Sequence, residues 1–272
     1  MPVLSVVSGA YNLETCFSFR KSIESILNQT FTDFEFIICD DGSSDGTYEI
    51  LKEFAKYDER IILLKNEKNI GLAATLNKCI RAARGSFIAR HDCDDYAAKD
   101  RFEKQISYLA NNPDVDLLGS WAYLFDENGV YDTLVFPRNV KNEDFLFTSP
   151  YQHGSVMFRK EVLEKAGGYT VSKVTRRTED YEMFMRMQSF AKGENFPEPL
   201  YYFLEDARAL KRRKYRYRID EAKVRYHGFK ALGLLPKGLP YVIKPLIVGL
   251  IPSALLARMR RKRRKKLNSE KK

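Results

Sequence analysis

Apolar residues in the first hundred positions form short continuous runs separated by longer amphipathic stretches. The runs at residues 3–7, 34–39, 61–64 and 87–89 read as buried strands. Between them, apolar residues recur three and four positions apart, which predicts helices ending near residue 28 and over 47–57 and 72–83. Buried strands that alternate with helices form parallel sheets covered on both faces, so this half of the chain predicts an α/β fold.

The second half of the chain is less regular. Asp100 is placed to cap a helix that runs to residue 109, and a further helix is predicted over residues 180–191. Short strands are predicted at residues 115–121, 134–136 and 156–158. The composition changes at Arg208, and we therefore expect a catalytic domain over residues 1–207 and an extension over residues 208–272.

The extension is strongly basic. It holds 22 Lys and Arg against 3 Asp and Glu, a net charge of +19, and because the whole chain carries +10, residues 1–207 carry −9. Residues 239–257 are largely apolar, and residues 258–266 are basic at every position except Met259. A spanning helix needs about 20 apolar residues, whereas this stretch contains Lys244 and three prolines. We therefore expect a kinked helical element, either interfacial or re-entrant, with the basic run beyond it on an anionic membrane surface; the alternative is a buried hairpin and a solvated tail.

Acidic residues cluster directly after two of the predicted strands. Asp40 and Asp41 follow the strand at 34–39, and Asp92, Asp94 and Asp95 follow the strand at 87–89. Ligands of open parallel sheets bind at the carboxyl ends of strands. Clustered carboxylates repel one another, and a hard cation such as Mg²⁺ or Mn²⁺ relieves that repulsion. The second cluster therefore predicts a divalent metal site, with a solvated acidic turn as the alternative.

The two clusters belong to an ordered series of motifs. The series is Tyr11-Asn12, residues 23–31, Asp40-Asp41-Gly42-Ser43, Asn69-Ile70-Gly71 through Asn77, the Asp92 cluster, and Thr178-Glu179-Asp180. This order, at strand ends, resembles glycosyltransferase family 2 over about residues 3–205. The resemblance implies the GT-A fold, a Rossmann-like nucleotide-sugar-binding domain with a mixed, mainly parallel sheet flanked by helices.

The resemblance also implies roles on the donor side. Tyr11 would stack on the nucleotide base, and Asp41, with Asp40 nearby, would accept from an imide N–H such as that of uracil. Asn69, Gly71 and Asn77 match the next nucleotide-side motif, although Gly71 and Asn77 equally fit a helix start and a polar helix face. In the family's DxD element, Asp92, Asp94 and Asp95 would bind the metal, with Asp94 and Asp95 the nearer contacts to metal and sugar.

On the acceptor side, the resemblance makes Asp180 the catalytic base of an inverting displacement. The alternative for Glu179 and Asp180 is a pair of acids that complement a helix dipole. His153, Arg176, Arg177 and Glu179 are further candidates on the acceptor or diphosphate side, and His153 is equally suited to a structural role.

We therefore expect a metal-dependent inverting glycosyltransferase (EC 2.4) that uses a UDP-linked donor and a lipid-linked or membrane-associated saccharide acceptor, as in bacterial surface-polysaccharide synthesis. The Gln-x-x-Arg-Trp motif of processive polymerases is absent from the sequence, which favours one sugar per binding event. The four cysteines lack CxxC spacing and the chain begins with a strand rather than a signal sequence, so we expect the reduced, cytoplasmic face of the membrane.

Two rival functions follow from other features. A nucleotidyltransferase would need a Gly-rich, basic loop after the first strand, and Ser8-Gly9-Ala10-Tyr11-Asn12 has one glycine and no base. A nucleic-acid-binding protein would use the basic runs at residues 212–218 and 258–266. The net negative charge of residues 1–207 opposes that reading, so nucleic acid is not an expected partner.

Overall fold

The structure is a computed structural model that describes residues 1–205 and 214–251. Within these residues nine strands form a single sheet. The strands are β1 (Leu4–Ala10), β2 (Phe34–Asp40), β3 (Ile61–Lys65), β4 (Phe87–Arg90), β5 (Tyr96–Ala97), β6 (Leu117–Asp126), β7 (Gly129–Leu134), β8 (Met157–Arg159) and β9 (Gly193–Leu204). The α-helices are α1 (Phe19–Leu27), α2 (Thr47–Tyr57), α3 (Leu72–Ala82), α4 (Arg101–Asn111), α5 (Lys160–Lys165), α6 (Glu179–Met187), α7 (Tyr215–Ala231) and α8 (Leu239–Gly249).

The sheet is mixed and begins with a parallel half. Its order is β3-β2-β1-β4-β8-β6-β9-β5, with β7 paired to the free part of β6. The first four strands are mutually parallel, β8 is antiparallel to both its neighbours, and β6 and β9 are parallel. Because parallel strands end at the same edge, the ends of β1, β2, β3 and β4 bring the loops after Ala10, Asp40, Lys65 and Arg90 together.

Both faces of the parallel half are buried. Every residue of β2 is buried, and successive side chains point to opposite faces. Val7 and Ile37 join one core with residues of α3 and α6, whereas Val6 and Phe36 join a second core with residues of α1 and α4. This is the packing expected from continuous apolar strands between helices.

The helices after residue 213 form an antiparallel hairpin on the first core. A Cβ added at Gly249, near the end of α8, would lie 3.0 Å from the Tyr215 ring at the start of α7, and one added at Gly238 would lie 2.7 Å from the Phe229 ring. Val224 and Phe229 of α7 belong to the same core as Phe184 of α6. The hairpin therefore shares a core with the sheet domain.

The predicted extension lies only partly within the description. The boundary at 207/208 and the basic run at residues 258–266 fall outside the described residues, as does most of the run at 212–218. Over the described ranges, no helix has both the length and the apolar character that crossing a bilayer requires.

Three strands differ from the sequence prediction, and one of them is the two-residue β5, which was not predicted. The strand predicted at 134–136 is wrong, since β7 runs from Gly129 to Leu134. Strand β9 was not predicted, because Pro197 and Pro199 interrupt its apolar run and proline is rare inside strands. A register shift in the β6–β9 pairing, from Ser120 opposite Phe196 to Trp121 opposite Pro199, accommodates them.

Candidate active site

Two loops at the carboxyl edge of the sheet are joined by hydrogen bonds. The backbone N–H of Asn12 donates to Ser43 Oγ at 3.0 Å, and the side-chain Oδ1 of Asn12 accepts from the backbone N–H of Ser44 at 3.0 Å. Asn12 adopts a φ of 52°, a conformation that asparagine tolerates better than most residues. Tyr11 precedes this junction and is 46% exposed. An exposed ring on a fixed loop is available for stacking on a planar ligand.

Asp41 fixes the next loop along the same edge. Its Oδ1 accepts from the Asn66 amide and from the Ile70 N–H, and its Oδ2 accepts from the Gly71 N–H, each at 2.9 Å. The carboxylate thus organises the loop before α3 whether or not a ligand is bound. Its predicted contact with a nucleotide base stays a prediction and has to use the remaining acceptor capacity.

The neighbouring Asp40 is buried and only partly satisfied. Its Oδ2 accepts from the Ser43 N–H at 3.2 Å, and its Oδ1 has no hydrogen-bond partner among the described residues. Gly42, which follows the pair, has a φ of +68°, and an added Cβ would lie 2.5 Å from the Lys68 backbone. Only glycine therefore allows this turn to pack against the loop that Asp41 holds.

The Asp92–Asp95 segment lies over buried cations. The fully buried guanidinium of Arg90 forms an ion pair with Asp92 Oδ1. Arg101 is also fully buried and donates to the Arg90 carbonyl at 2.9 Å; burial and the charge of Arg90 lower the pKa of Arg101 to about 10. The chain itself therefore supplies positive charge beneath the acid cluster, in addition to any divalent cation that the cluster would bind.

The three carboxylates have different surroundings. Asp92 is held by Arg90, while the buried Asp95 accepts from the Leu204 N–H at 2.7 Å through Oδ1 and has no partner among the described residues for Oδ2. Burial, together with the charges of Asp94 and Asp92, raises the pKa of Asp95 well above its usual value. Asp94 is partly exposed, and its carbonyl accepts from Ser18 Oγ at 2.5 Å.

These surroundings limit how a metal would bind. In the described part of the chain, no three His, Cys, Asp or Glu side chains are grouped so as to hold a metal by themselves. The unpartnered Asp95 oxygen and the negative charge around it nevertheless fit a divalent cation that completes its coordination with phosphate oxygens, as Mg²⁺ commonly does. The metal role of Asp92, Asp94 and Asp95 stays a prediction.

The partly buried His153 and the buried Tyr169 form a hydrogen-bonded pair close to Asp92. His153 Nε2 lies 2.7 Å from Tyr169 Oη, and burial, assisted by the charge of Arg90, lowers the pKa of His153 to about 3. His153 is therefore neutral at physiological pH. The next residue, Gly154, packs so tightly that an added Cβ would lie 2.9 Å from Asp92 Oδ2 and would overlap the Tyr201 hydroxyl.

Asn77 positions Tyr169. Its side-chain oxygen accepts from the Tyr169 N–H at 2.9 Å, and its nitrogen donates to the Tyr169 carbonyl at 2.8 Å. Both polar groups of Asn77 are therefore engaged in holding the 167–170 segment against α3. Its predicted role in nucleotide binding stays a prediction, with this structural role beside it. Asn69, by contrast, is exposed.

Asp180 lies in the first turn of α6 and belongs to the same neighbourhood. Burial and the charge of Glu179 raise the pKa of Asp180 to about 7, against the opposing hydrogen bonds from the backbone amides of Tyr181 and Asp180 itself, and Asp92 adds to the increase. Burial raises the pKa of Tyr169, and the charges of Asp180 and Asp92 raise it further. The fold therefore brings Asp92, Tyr169 and Asp180 within electrostatic range of one another.

A cleft of about 550 Å³ borders this neighbourhood, a volume typical of small-ligand sites. It lies between the start of α3, the segment at residues 171–176 and the first turns of α7. Glu179 lines it, and Glu179 Oε2 is buried without a hydrogen-bond partner among the described residues. Arg176 also lines the cleft, whereas the exposed Arg177 has a φ of 80° and does not. The predicted roles of both arginines stay predictions.

Several buried residues that support the site were not predicted from the sequence. Arg90 and Arg101 neutralise and position the acid cluster, and Tyr201 Oη accepts from the Asp92 N–H at 3.0 Å. The one available signal was the position of Arg90, a charged residue at the end of an apolar strand. Arg101 and Tyr201 come from α4 and β9, and no spacing in the sequence links them to the cluster.

Comparison with known proteins shows the family of the chain. The model of the family "Glycosyl transferase family 2" matches residues 5–167. The chain is 38% identical over 264 residues to the putative glycosyltransferase EpsE of Bacillus subtilis, covering 96% of this chain and 94% of that protein. It is 36% identical over 172 residues to the O-antigen biosynthesis glycosyltransferase WbnJ of Escherichia coli, covering 61% of this chain and 65% of that protein.

Solved structures share the fold. Residues 1–349 of TarS from S. aureus, in complex with UDP-GlcNAc, match with a TM-score of 0.70 at 17% identity, covering 89% of this chain and 72% of that chain. The mannosyltransferase PcManGT from Pyrobaculum calidifontis, in complex with GDP-Man and Mn²⁺, matches with a TM-score of 0.63 at 18% identity, covering 95% of this chain and 79% of that chain. The expected α/β fold is therefore confirmed. The chain belongs to glycosyltransferase family 2 and is a glycosyltransferase with a GT-A-like fold.

Proposed function

We propose that this enzyme transfers one sugar from a nucleoside diphosphate sugar to a hydroxyl group of a lipid-linked or membrane-associated saccharide, with inversion at the anomeric carbon. The main support for the proposal is the position of Asp180, which lies within electrostatic range of Asp92 at the carboxyl edge of the sheet. The pKa of Asp180 is raised to about 7 there. The names of the relatives, which include O-antigen biosynthesis, support a surface polysaccharide as the product.

On the donor side, the nucleotide would lie across the loops that Asn12 and Asp41 fix. The exposed ring of Tyr11 would stack on the base, and Asn69 is exposed on the neighbouring loop. Asp40 Oδ1, the carboxylate oxygen without a partner among the described residues, is a better candidate than Asp41 for accepting an imide N–H, because Asp41 already accepts three hydrogen bonds. The uracil of UDP-sugars carries an imide N–H, and the guanine of GDP-sugars carries a lactam N–H that a carboxylate can accept in the same way.

The diphosphate would lie near the Asp92–Asp95 segment. Asp94 and Asp95 would hold a Mn²⁺ or Mg²⁺ ion, which when bound supplies Lewis-acid stabilisation for the leaving nucleoside diphosphate. The ion pair with Arg90 would hold the Asp92 side chain in place beneath this region. Arg176, which lines the cleft, would add positive charge on the phosphate side.

Asp180 would act as the general base. A base works best when its pKa is close to the working pH, since it is then largely ionised and still attracts a proton. Burial and the charge of the neighbouring Glu179 raise the pKa of Asp180 into this range, against the backbone hydrogen bonds at the start of α6. The attacking hydroxyl would pass its proton to the Asp180 carboxylate as its oxygen bonds to the anomeric carbon and the nucleoside diphosphate leaves. A single displacement of this kind inverts the configuration.

Donor binding and product stereochemistry test the proposal. With Mn²⁺ present, a panel of UDP- and GDP-sugars should include at least one that raises the thermal midpoint, because a ligand that binds only the native state stabilises it. NMR of the product formed from that donor should show the inverted anomer. A retained anomer would exclude the single displacement, and a panel without any stabilising or consumed donor would exclude the nucleotide-sugar assignment.

A further inference from the structure

The solvent-facing side of α8 is apolar. Leu239, Ile243, Ile247 and Leu250 are 42%, 49%, 61% and 73% exposed, respectively. At about 100° per residue, these positions fall within an arc of about 80° on one face of the helix. Lys244 is the one charged residue among the exposed positions of α8. A helix on the surface of a globular domain normally turns its polar face outward, so this reversed pattern marks an interaction surface.

The opposite side of the helix is already in use. Pro245 is buried, and Tyr241 makes an edge-on ring contact with Phe147 at 4.9 Å. Gly249 lies against Tyr215 and Arg218 of α7. Helix α8 therefore already packs on the domain through the face opposite to the exposed apolar one. The exposed face is not one that should pack on the domain and has moved away from it.

We propose that the face formed by Leu239, Ile243, Ile247 and Leu250 is a membrane-docking surface, and that its partner is an anionic lipid bilayer. The sequence that follows Ile251 carries basic residues at eight of the nine positions 258–266. An apolar helix face beside a polybasic segment is the combination that binds anionic membranes stably, because either feature alone binds weakly. The net charge of +19 over residues 208–272 opposes a second copy of the chain on this face.

The docking surface connects directly to the cleft. Arg216, Tyr217 and Asp220 from the first two turns of α7 line the cleft, together with Lys214, which precedes the helix. The same helix packs along α8. Docking would therefore bring the bilayer against the hairpin of α7 and α8, which borders the cleft. A lipid-linked saccharide could then reach the cleft from the bilayer. The membrane surface itself does not depend on the proposed transferase reaction, so it is tested without a sugar donor.

Vesicle sedimentation with the full chain tests the surface. Vesicles of phosphatidylglycerol and phosphatidylcholine should bind the protein, and the double variant Ile243→Ser/Ile247→Ser should bind at least tenfold more weakly, because it removes the centre of the apolar face. The matched control Val130→Ser/Val135→Ser changes two valines that are 52% and 64% exposed on and just after β7 and should bind as the unmodified chain does. Equal urea midpoints for the three proteins would exclude misfolding, since all four side chains are exposed.

A single labelled position identifies the occupant of the face. The four native cysteines are buried, so a polarity-sensitive fluorophore should react selectively with Ile247→Cys. Its emission should shift to the blue when anionic vesicles are added, whereas the same probe at Val130→Cys should not respond. The proposal is overturned if the serine double variant still sediments with vesicles. It is also overturned if the probe at 247 is blue-shifted without lipid, as residues 252–257 folding back would cause, or shifts with protein concentration, as self-association would cause.

Discussion

At the scale of single residues, the site depends on charges that are controlled by burial. Arg90 forms an ion pair with Asp92 beneath the acid segment, whereas burial and neighbouring acids keep the pKa values of Asp95 and Asp180 high. The sequence singled out Asp92, Asp94 and Asp95 because they follow an apolar strand, and it singled out Asp180 through the resemblance to glycosyltransferase family 2; their roles stay predictions. It did not show the cation beneath them, because the depth of a side chain is set by the packing of distant segments.

The raised pKa of Asp180 predicts the pH dependence of the reaction. A general base works only when ionised, so kcat/KM should fall about tenfold for each pH unit below about 7 and level off above it. Initial rates between pH 5.5 and 8.5, at donor concentrations well below KM, would show this. Unfolding curves over the same range would confirm that the enzyme remains folded at the acidic end. A profile that is flat across pH 7 would contradict the assignment of Asp180.

At the scale of elements, the parallel half of the sheet was predictable and the second half was not. Strands β1 to β4 are continuous apolar runs between amphipathic helices, so local pattern and final structure agree. Strand β9 contains two prolines and depends on its pairing with β6 and β5, which no local pattern reveals. The 3-10 turn His153–Ser155, which brings His153 beside the site, is likewise fixed by tertiary contacts.

Substitutions of Asn77 and Asn69 distinguish a structural role, expected for Asn77, from a role in donor binding, expected for Asn69. Asn77→Ala removes both hydrogen bonds to the Tyr169 backbone and should lower the free energy of unfolding by about 1–3 kcal/mol. Asn69→Ala changes an exposed side chain and should leave stability within about 0.5 kcal/mol while weakening donor binding. Urea unfolding and donor titration on both variants test the pair. If Asn69→Ala is the destabilising change, or Asn77→Ala leaves stability untouched, the roles are reversed.

At the scale of the whole molecule, the hairpin of α7 and α8 shares its hydrophobic core with the sheet domain. Phe229 is fully buried and belongs to the same core as Phe145 and Met185. A truncation before α7 would therefore expose the core and unfold the protein. Loss of membrane binding in such a variant could not be distinguished from loss of folding. The sequence marked this region by its charge and apolar run, but it did not show which face of α8 stays exposed.

Phe229→Ala tests this shared core. Removing a buried aromatic ring should lower the free energy of unfolding by about 3–5 kcal/mol. Because the hairpin and the sheet domain share one core, the whole protein should unfold in a single transition at a lower urea concentration, followed in parallel by far-ultraviolet circular dichroism and Trp121 fluorescence. An early transition seen by circular dichroism alone, with the Trp121 transition unmoved, would show that the hairpin unfolds separately.

The most direct test of the account is single-turnover transfer by Asp180→Asn, measured together with donor affinity. The variant should lose about 10²–10⁴-fold in the rate of transfer, since the base is absent, and should bind the donor within a few-fold of the unmodified enzyme. Glu161→Gln is the matched control, because Glu161 occupies the first turn of α5 as Asp180 does in α6 but is exposed. A near-normal transfer rate in Asp180→Asn, or a collapse of donor binding in its place, would contradict the central claim.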